Sequence, residues 1–455
     1  MKQLCLLALL VLAAAPAAAE VPNIVLIIAD DLGYADVGFN GCTDIPTPNI
    51  DRMAAEGVRC TNAYVTHPFC SPSRAGLLTG RYQQRFGHEN NPTFLPNNDQ
   101  VGLPADQVTI ADVLSSAGYV SSMVGKWHQG AGEPFHPLNR GFTHMYGFLG
   151  GGHMYFPKQL TVTNPTVHRD QYRTKLLRDR ERVEETEYLT DAFSREGAAF
   201  IDRYHRKPFF LYLSYNAPHT PLQATEKYLK RFEPIEDEKR QVYAAMVSAV
   251  DDGVGRVLDT LQKHALNENT LVIFLSDNGG PFRVNGSQNT PLRDGKGTVF
   301  EGGIRVPFAF RWTGKLPAGE DYDQPISALD IFATAAALAN ATVPESHQLD
   351  GVNLMPQLLG RTKTPPHEVL YWRRGGGESY AVRQGDQKLT EQIRGKVQVY
   401  DLASDIGEKR NLAASDAESL AELTVLKDAW DAQLVEPKWQ SPNAGKAKPK
   451  PAKPK

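Results

Sequence analysis

Four apolar runs constrain this chain more than any other feature. Asn23–Ala29 (NIVLIIA), Tyr119–Val124, Phe209–Tyr215 (FFLYLSY) and Leu271–Ser276 (LVIFLS) lack strict polar alternation, as strands covered on both faces do. Helical patterns lie between them, over Ile50–Glu56, Thr109–Ala117, Glu187–Arg203 and Glu238–Lys263. Gly57 and Gly118 follow the first two and predict left-handed helix ends. Strand and helix alternating at this spacing predict an α/β fold with a large, mostly parallel central sheet between helices. After about Pro365 the texture changes. Short strands over Glu368–Trp372, Tyr380–Arg383, Gln387–Thr390 and Val397–Asp401, then a helix over Ala417–Gln433, predict a small C-terminal α+β subdomain with an antiparallel sheet.

The N-terminus reads as a secretory signal. Met1-Lys2, an apolar run from Leu4 to Ala15 and Ala17-Ala18-Ala19 supply its basic start, apolar core and small-residue end. The run is short for a bilayer, so no membrane span is expected after its removal. This organisation gives a signal at 1–19, a main domain at 20–365, a subdomain at 366–440 and a Lys/Pro-rich disordered tail at 441–455. The expected location is secreted or periplasmic. A net charge of −3 gives no electrostatic case for nucleic acid. Four Cys exclude a disulfide scaffold, and a Cys42–Cys60 bond is not expected.

Each apolar run leads into polar groups: Asp30-Asp31, Lys126 with His128, His219, and Asp277-Asn278. An Asp after a strand ordinarily caps a helix or closes a turn. Four such groups in one parallel sheet instead meet beyond the strands' carboxyl ends, where sites form. Asp30, Asp31, Asp277 and Asn278 offer only oxygen, which suits Ca²⁺, with Mg²⁺ as the alternative, and disfavours zinc. Without a cation at least one of these carboxylates should have a raised pKa. Cys70 stands at a helix entrance (Cys70-Ser71-Pro72-Ser73-Arg74), either as a buried or disulfide-bonded thiol or as an activated one.

The stretch C-S-P-S-R, followed by Thr79-Gly80-Arg81, resembles the signature of the formylglycine-dependent sulfatases, members of the alkaline-phosphatase-like superfamily. Gly118–His128, Pro22–Gly33, Ala217–Pro221, Ser276–Gly280 and Leu292–Pro307 resemble further family stretches in the same order. The resemblance implies that Cys70 is oxidised to formylglycine by a maturation enzyme, and that the aldehyde hydrate attacks sulfur. It implies a metal on Asp30, Asp31, Asp277, Asn278 and the modified Cys70, with Arg74 fixing that assembly. By the same resemblance Lys126 and Lys296 clamp the sulfate, His219 protonates the leaving alcohol, and His128 accepts the proton that releases sulfate.

The implied substrate is a sulfated carbohydrate, with small aryl sulfates as the alternative. His153, in the loop after Gly150-Gly151-Gly152, is a substrate-contact candidate, with Tyr155 nearby. A phosphonate or phosphate ester hydrolase of the same superfamily is a rival reading, which Asn278 disfavours. A non-catalytic sugar-sulfate-binding protein is another, which the filled catalytic positions disfavour.

Overall fold

The structure, a computed structural model, describes residues 21–440 except Arg394. The expected signal and Lys/Pro tail lie outside the described residues. The strands are β1 (Asn23–Ala29), β2 (Val58–Cys60), β3 (Ala63–Tyr64), β4 (Val120–Lys126), β5 (His144–Phe148), β6 (Leu176–Arg178), β7 (Glu181–Val183) and β8 (Phe209–Ser214). They continue with β9 (Thr270–Ser276), β10 (Phe308–Arg311), β11 (Glu320–Tyr322), β12 (Ile326–Ser327), β13 (Val369–Arg374), β14 (Ser379–Gln384), β15 (Gln387–Glu391) and β16 (Gln398–Asp401). Ten of them form one sheet in the order β11-β2-β10-β9-β1-β8-β4-β5-β6-β7. Its centre, β9-β1-β8-β4-β5, is parallel, and β10 and β6 run against their neighbours.

Every residue of β1 is buried. Ile24, Leu26 and Ile28 enter one core with Phe210, Tyr212, Ile273 and Leu275. Val25, Ile27 and Ala29 enter the other with Leu211, Leu213, Val272 and Phe274. The period of two thus feeds both faces. Each such aliphatic side chain contributes about 1.5–3 kcal/mol on burial, so a charge at Ile27 would break the sheet's centre. Helix Glu238–Lys263 packs on the second core, and α1 (Pro48–Ala55) lies beside it.

Gly118 has φ +86 and ends its helix in the left-handed form. Gly57 does not, contrary to expectation. Its need for glycine is steric, because a Cβ there would lie 2.0 Å from the Phe310 carbonyl oxygen. Strands β13 to β16 form a separate antiparallel sheet with helix Ala417–Asp431 against it. It is docked on the main body through Trp372, whose indole donates to the Val65 carbonyl at 2.7 Å. Cys42, Cys60 and Cys70 are all free thiols.

Candidate active site

Because β1, β8, β9 and β4 are parallel neighbours, Asp30, His219, Asp277 and Lys126 leave the sheet at the same edge. Asp31 and His128 adopt φ of 64° and 58°, which turns the chain sharply just past two strand ends. Helix α2 (Cys70–Thr79) starts at this edge and is buried throughout. One ligand atom from each of Asp30, Asp31, Cys70 and Asp277 lies within 4.8 Å of the others.

Cations are threaded among the acids. Arg74 donates to Asp277 Oδ2 at 2.8 Å through Nε and stands 3.4 Å from Asp30 Oδ2 through Nη2. Its Nη1 bonds Ser214 Oγ, at the end of β8. Lys126 Nζ bonds Asp30 Oδ2, and Lys296 Nζ donates to Asp31 Oδ1 at 2.5 Å. Burial pushes Asp30 and Asp31 upward. Lys126 for the first and Lys296 for the second, each aided by His219, overcome it and hold both carboxyls below the usual range. This corrects the expectation of a raised carboxylate at these two positions. Three carboxylates meet three cations from distant parts of the chain, so charge repulsion alone does not demand a metal.

Cys70 Sγ lies 3.1 Å from Lys296 Nζ and 3.5 Å from Asp30 Oδ1. Burial, with Asp30 next, pushes its thiol up to about 12, so the unmodified side chain is a protonated thiol and not an activated thiolate. His219 donates from Nδ1 to the Thr220 carbonyl at 2.6 Å, which leaves Nε2 facing Asp31 Oδ2 at 3.7 Å. Burial, with the lysines adding to it, keeps His128 well below the usual imidazole range. Its Nδ1 is buried without a partner.

A sequence profile of the sulfatase family matches residues 22–341, a span that contains every group named at this edge. The chain belongs to the sulfatase family. Its members are sulfuric ester hydrolases. The human N-acetylgalactosamine-6-sulfatase is 38% identical over 377 residues, 79% of this chain and 70% of that protein. The crystal structure of Ps i-CgsB in complex with k-i-k-neocarrahexaose superposes with a TM-score of 0.87 at 41% identity, covering 94% of this chain and 96% of that one. The PsFucS1 sulfatase from Pseudoalteromonas sp. follows at 0.79 and 27%, covering 91% and 90%.

The donor set of this sulfatase fits a hard cation on one further observation. Asn278 Oδ1 is buried with no hydrogen-bond partner, although its Nδ2 donates to Asp31 Oδ1 at 2.7 Å. A buried amide oxygen left without a donor is costly, and a divalent cation would satisfy it.

His153 does not stand at the opening. It is 0% exposed, its Nδ1 bonds the Met154 carbonyl and its Nε2 bonds Thr174 Oγ1. Both nitrogens are therefore used inside the fold. Tyr155 is buried too, with its hydroxyl between the Asn216 and His219 carbonyls at 2.7 Å each, so it holds the His219 loop.

Two residues with no role of their own assigned from sequence border the site. Gly151 faces His128 so closely that a Cβ would lie 2.5 Å from its Nε2. The glycine run was legible, but its facing partner was not. Tyr172 is half-buried against Gly152, and its hydroxyl has no hydrogen-bond partner among the described residues. Burial raises its phenol, and the charges of Lys126, Lys296, Cys70 and Asp30 reach it. Tyr172 lies in a stretch with no periodicity, which carried no signal for it.

Proposed function

We propose that this sulfatase removes sulfate from a carbohydrate, with Cys70, oxidised to formylglycine by a separate maturation enzyme, as its nucleophile. The observation that supports this best is the meeting of Cys70, three acids, three cations and two imidazoles at one sheet edge. Asp30, Asp31, Asp277 and Asn278, with the modified Cys70, would hold the cation, Ca²⁺ in our reading and Mg²⁺ as the alternative. When bound, the cation would lower the pKa of a hydroxyl of the hydrated aldehyde, so that its oxygen could attack sulfur at neutral pH.

The chain's own groups do the rest. Lys126 and Lys296 are fixed as cations by buried carboxylates and take the sulfate oxygens as charge shifts onto them. Arg74 binds Asp277 and Asp30 and keeps their geometry. Nε2 of His219 faces the site because Nδ1 is spent on Thr220. Burial lowers this histidine in the free protein. An arriving sulfate anion opposes that and loads the proton needed by the leaving alcohol. Neutral His128 accepts the proton whose removal frees the sulfate.

A carbohydrate is favoured over a small aryl ester by two relatives, one named for N-acetylgalactosamine 6-sulfate and one bound to k-i-k-neocarrahexaose. We assign Tyr172, in place of His153, to contact with the sugar. We read 20–365 as the catalytic domain and 366–440 as a subdomain. The signal at 1–19 would send the enzyme outside the cytosol, to a secreted or periplasmic location. No helix of the described residues is long and apolar enough to cross a membrane.

A panel of defined sulfated mono- and disaccharides, assayed with calcium and again after chelation, tests the reading. Sulfate release from at least one, abolished by chelation and restored by calcium, is expected. Faster release of phosphate than of sulfate from matched aryl esters would transfer the assignment to a phosphate ester hydrolase.

A further inference from the structure

Arg374 ends β13 in the small sheet, yet it reaches the main body beside the nucleophile. Its Nη1 donates to the Gly297 carbonyl at 2.9 Å, one residue past Lys296. Its guanidinium carbon lies 5.3 Å from the ring centre of Phe69, one residue before Cys70. The Phe69 ring also touches Gly297, where a Cβ would be 3.1 Å from Cζ. Arg374, Phe69 and Gly297 therefore form one wall next to Cys70 and Lys296.

The charge on that wall is poorly matched. Arg373, its neighbour in sequence, is 4% exposed and is neutralised by Glu89 and Asp431. Arg374 is 22% exposed and has only Glu378, half-exposed and 3.8 Å away. That separation exceeds a hydrogen bond, and an exposed carboxylate can turn into water. Burial without a close acid pulls Arg374 below the usual arginine range. The following Gly375, Gly376 and Gly377 carry no side chain, so of this turn only Glu378 stands near the guanidinium. Nε and Nη2 make no hydrogen bond to described residues, and both belong to a group built for planar, bidentate oxyanions.

We propose that Arg374 forms a second anion subsite beside the sulfate pocket, so that the preferred substrate carries another sulfate or carboxylate close to the ester being cleaved. This rests on the sulfatase reading and narrows it to polyanionic glycans. It also gives the small sheet a part in substrate choice.

Phenyl sulfate, the three carboxyphenyl sulfates and the three benzenediol disulfates separate the two claims. With calcium present, wild-type protein should prefer at least one doubly charged compound over phenyl sulfate by about tenfold in KM, and the carboxylate and disulfate series identify the favoured anion. The preference should shrink as salt rises. It should vanish in Arg374→Ala and return in part in Arg374→Lys. The ratio within one protein does not depend on how much of it is folded. The same ratio, read as Kd by titration calorimetry on Cys70→Ala protein, does not depend on turnover. Equal ratios in wild type and Arg374→Ala overturn the subsite. Absence of all sulfate release from these esters and from the saccharide panel, with the calorimetric preference intact, overturns the sulfatase chemistry alone.

Discussion

Lys126 is fully buried, and its amine touches the Asp30 carboxylate. Such a pair is retained at a cost in desolvation, which points to a demand from chemistry and not from stability. Lys126→Ala should lower kcat by a factor of about 10² to 10³, as the loss of a charge-stabilising donor does. Circular dichroism should show the fold retained, and kcat within a factor of two of wild type would contradict the role. Gly151 makes a subtler case. Its missing Cβ leaves room for the His128 ring, whose own backbone is strained at φ 58°. Gly151→Ala should displace that ring and lower kcat/KM on any accepted sulfate ester by about tenfold, an effect on the scale of partial loss of a general base. Wild-type kinetics in Gly151→Ala would show that the loop has slack.

At the scale of elements, β1 and helix Glu238–Lys263 were readable to the residue, because a buried seven-residue run and a long 3.6-residue period leave few alternatives. The short outer strands β2, β6, β7 and β11 were not, since three residues carry no period. The charged cluster was legible as strand-end polar groups. What escaped was pairing: Asp30 meets Lys126, and Asp31 meets Lys296, across long stretches of chain. The same blindness made His153 a candidate for substrate contact, whereas its ring is buried with both nitrogens bonded inside the fold. A second pairing of this kind joins helix Asp330–Leu338 to the segment entering the small sheet. His367 Nε2 lies 2.8 and 2.9 Å from the two oxygens of Asp330. Burial pulls this imidazole down, but Asp330 outweighs it, so its pKa is raised. A raised histidine contributes stability that is complete below the unfolded value near 6.5 and is lost as pH climbs through the folded value. The melting temperature gap between wild type and His367→Ala should therefore be larger at pH 5.5 than at pH 8.5. An equal gap would mean that the pair holds the elements together without its charge.

Among the described residues, besides the short β3–β12 pair, a ten-stranded and a four-stranded sheet are joined by an apolar seam close to the edge that carries Cys70. Trp372 is 2% exposed, packs against Tyr64 with ring centres 5.3 Å apart and planes tilted by 58°, and is hydrogen-bonded to Val65. Trp372→Ala should destabilise the protein by about 3–5 kcal/mol in urea unfolding, the range for a large buried aromatic. A loss under 1 kcal/mol would show that the small sheet is held elsewhere. The central claim is that every one of these features serves a nucleophile derived from Cys70. Inorganic sulfate released from an accepted sulfated saccharide, measured by ion chromatography for wild type and for Cys70→Ala with an unchanged melting temperature, tests it most directly. Wild type should release sulfate steadily and Cys70→Ala none above the uncatalysed background; comparable release by both would contradict a nucleophile made from Cys70.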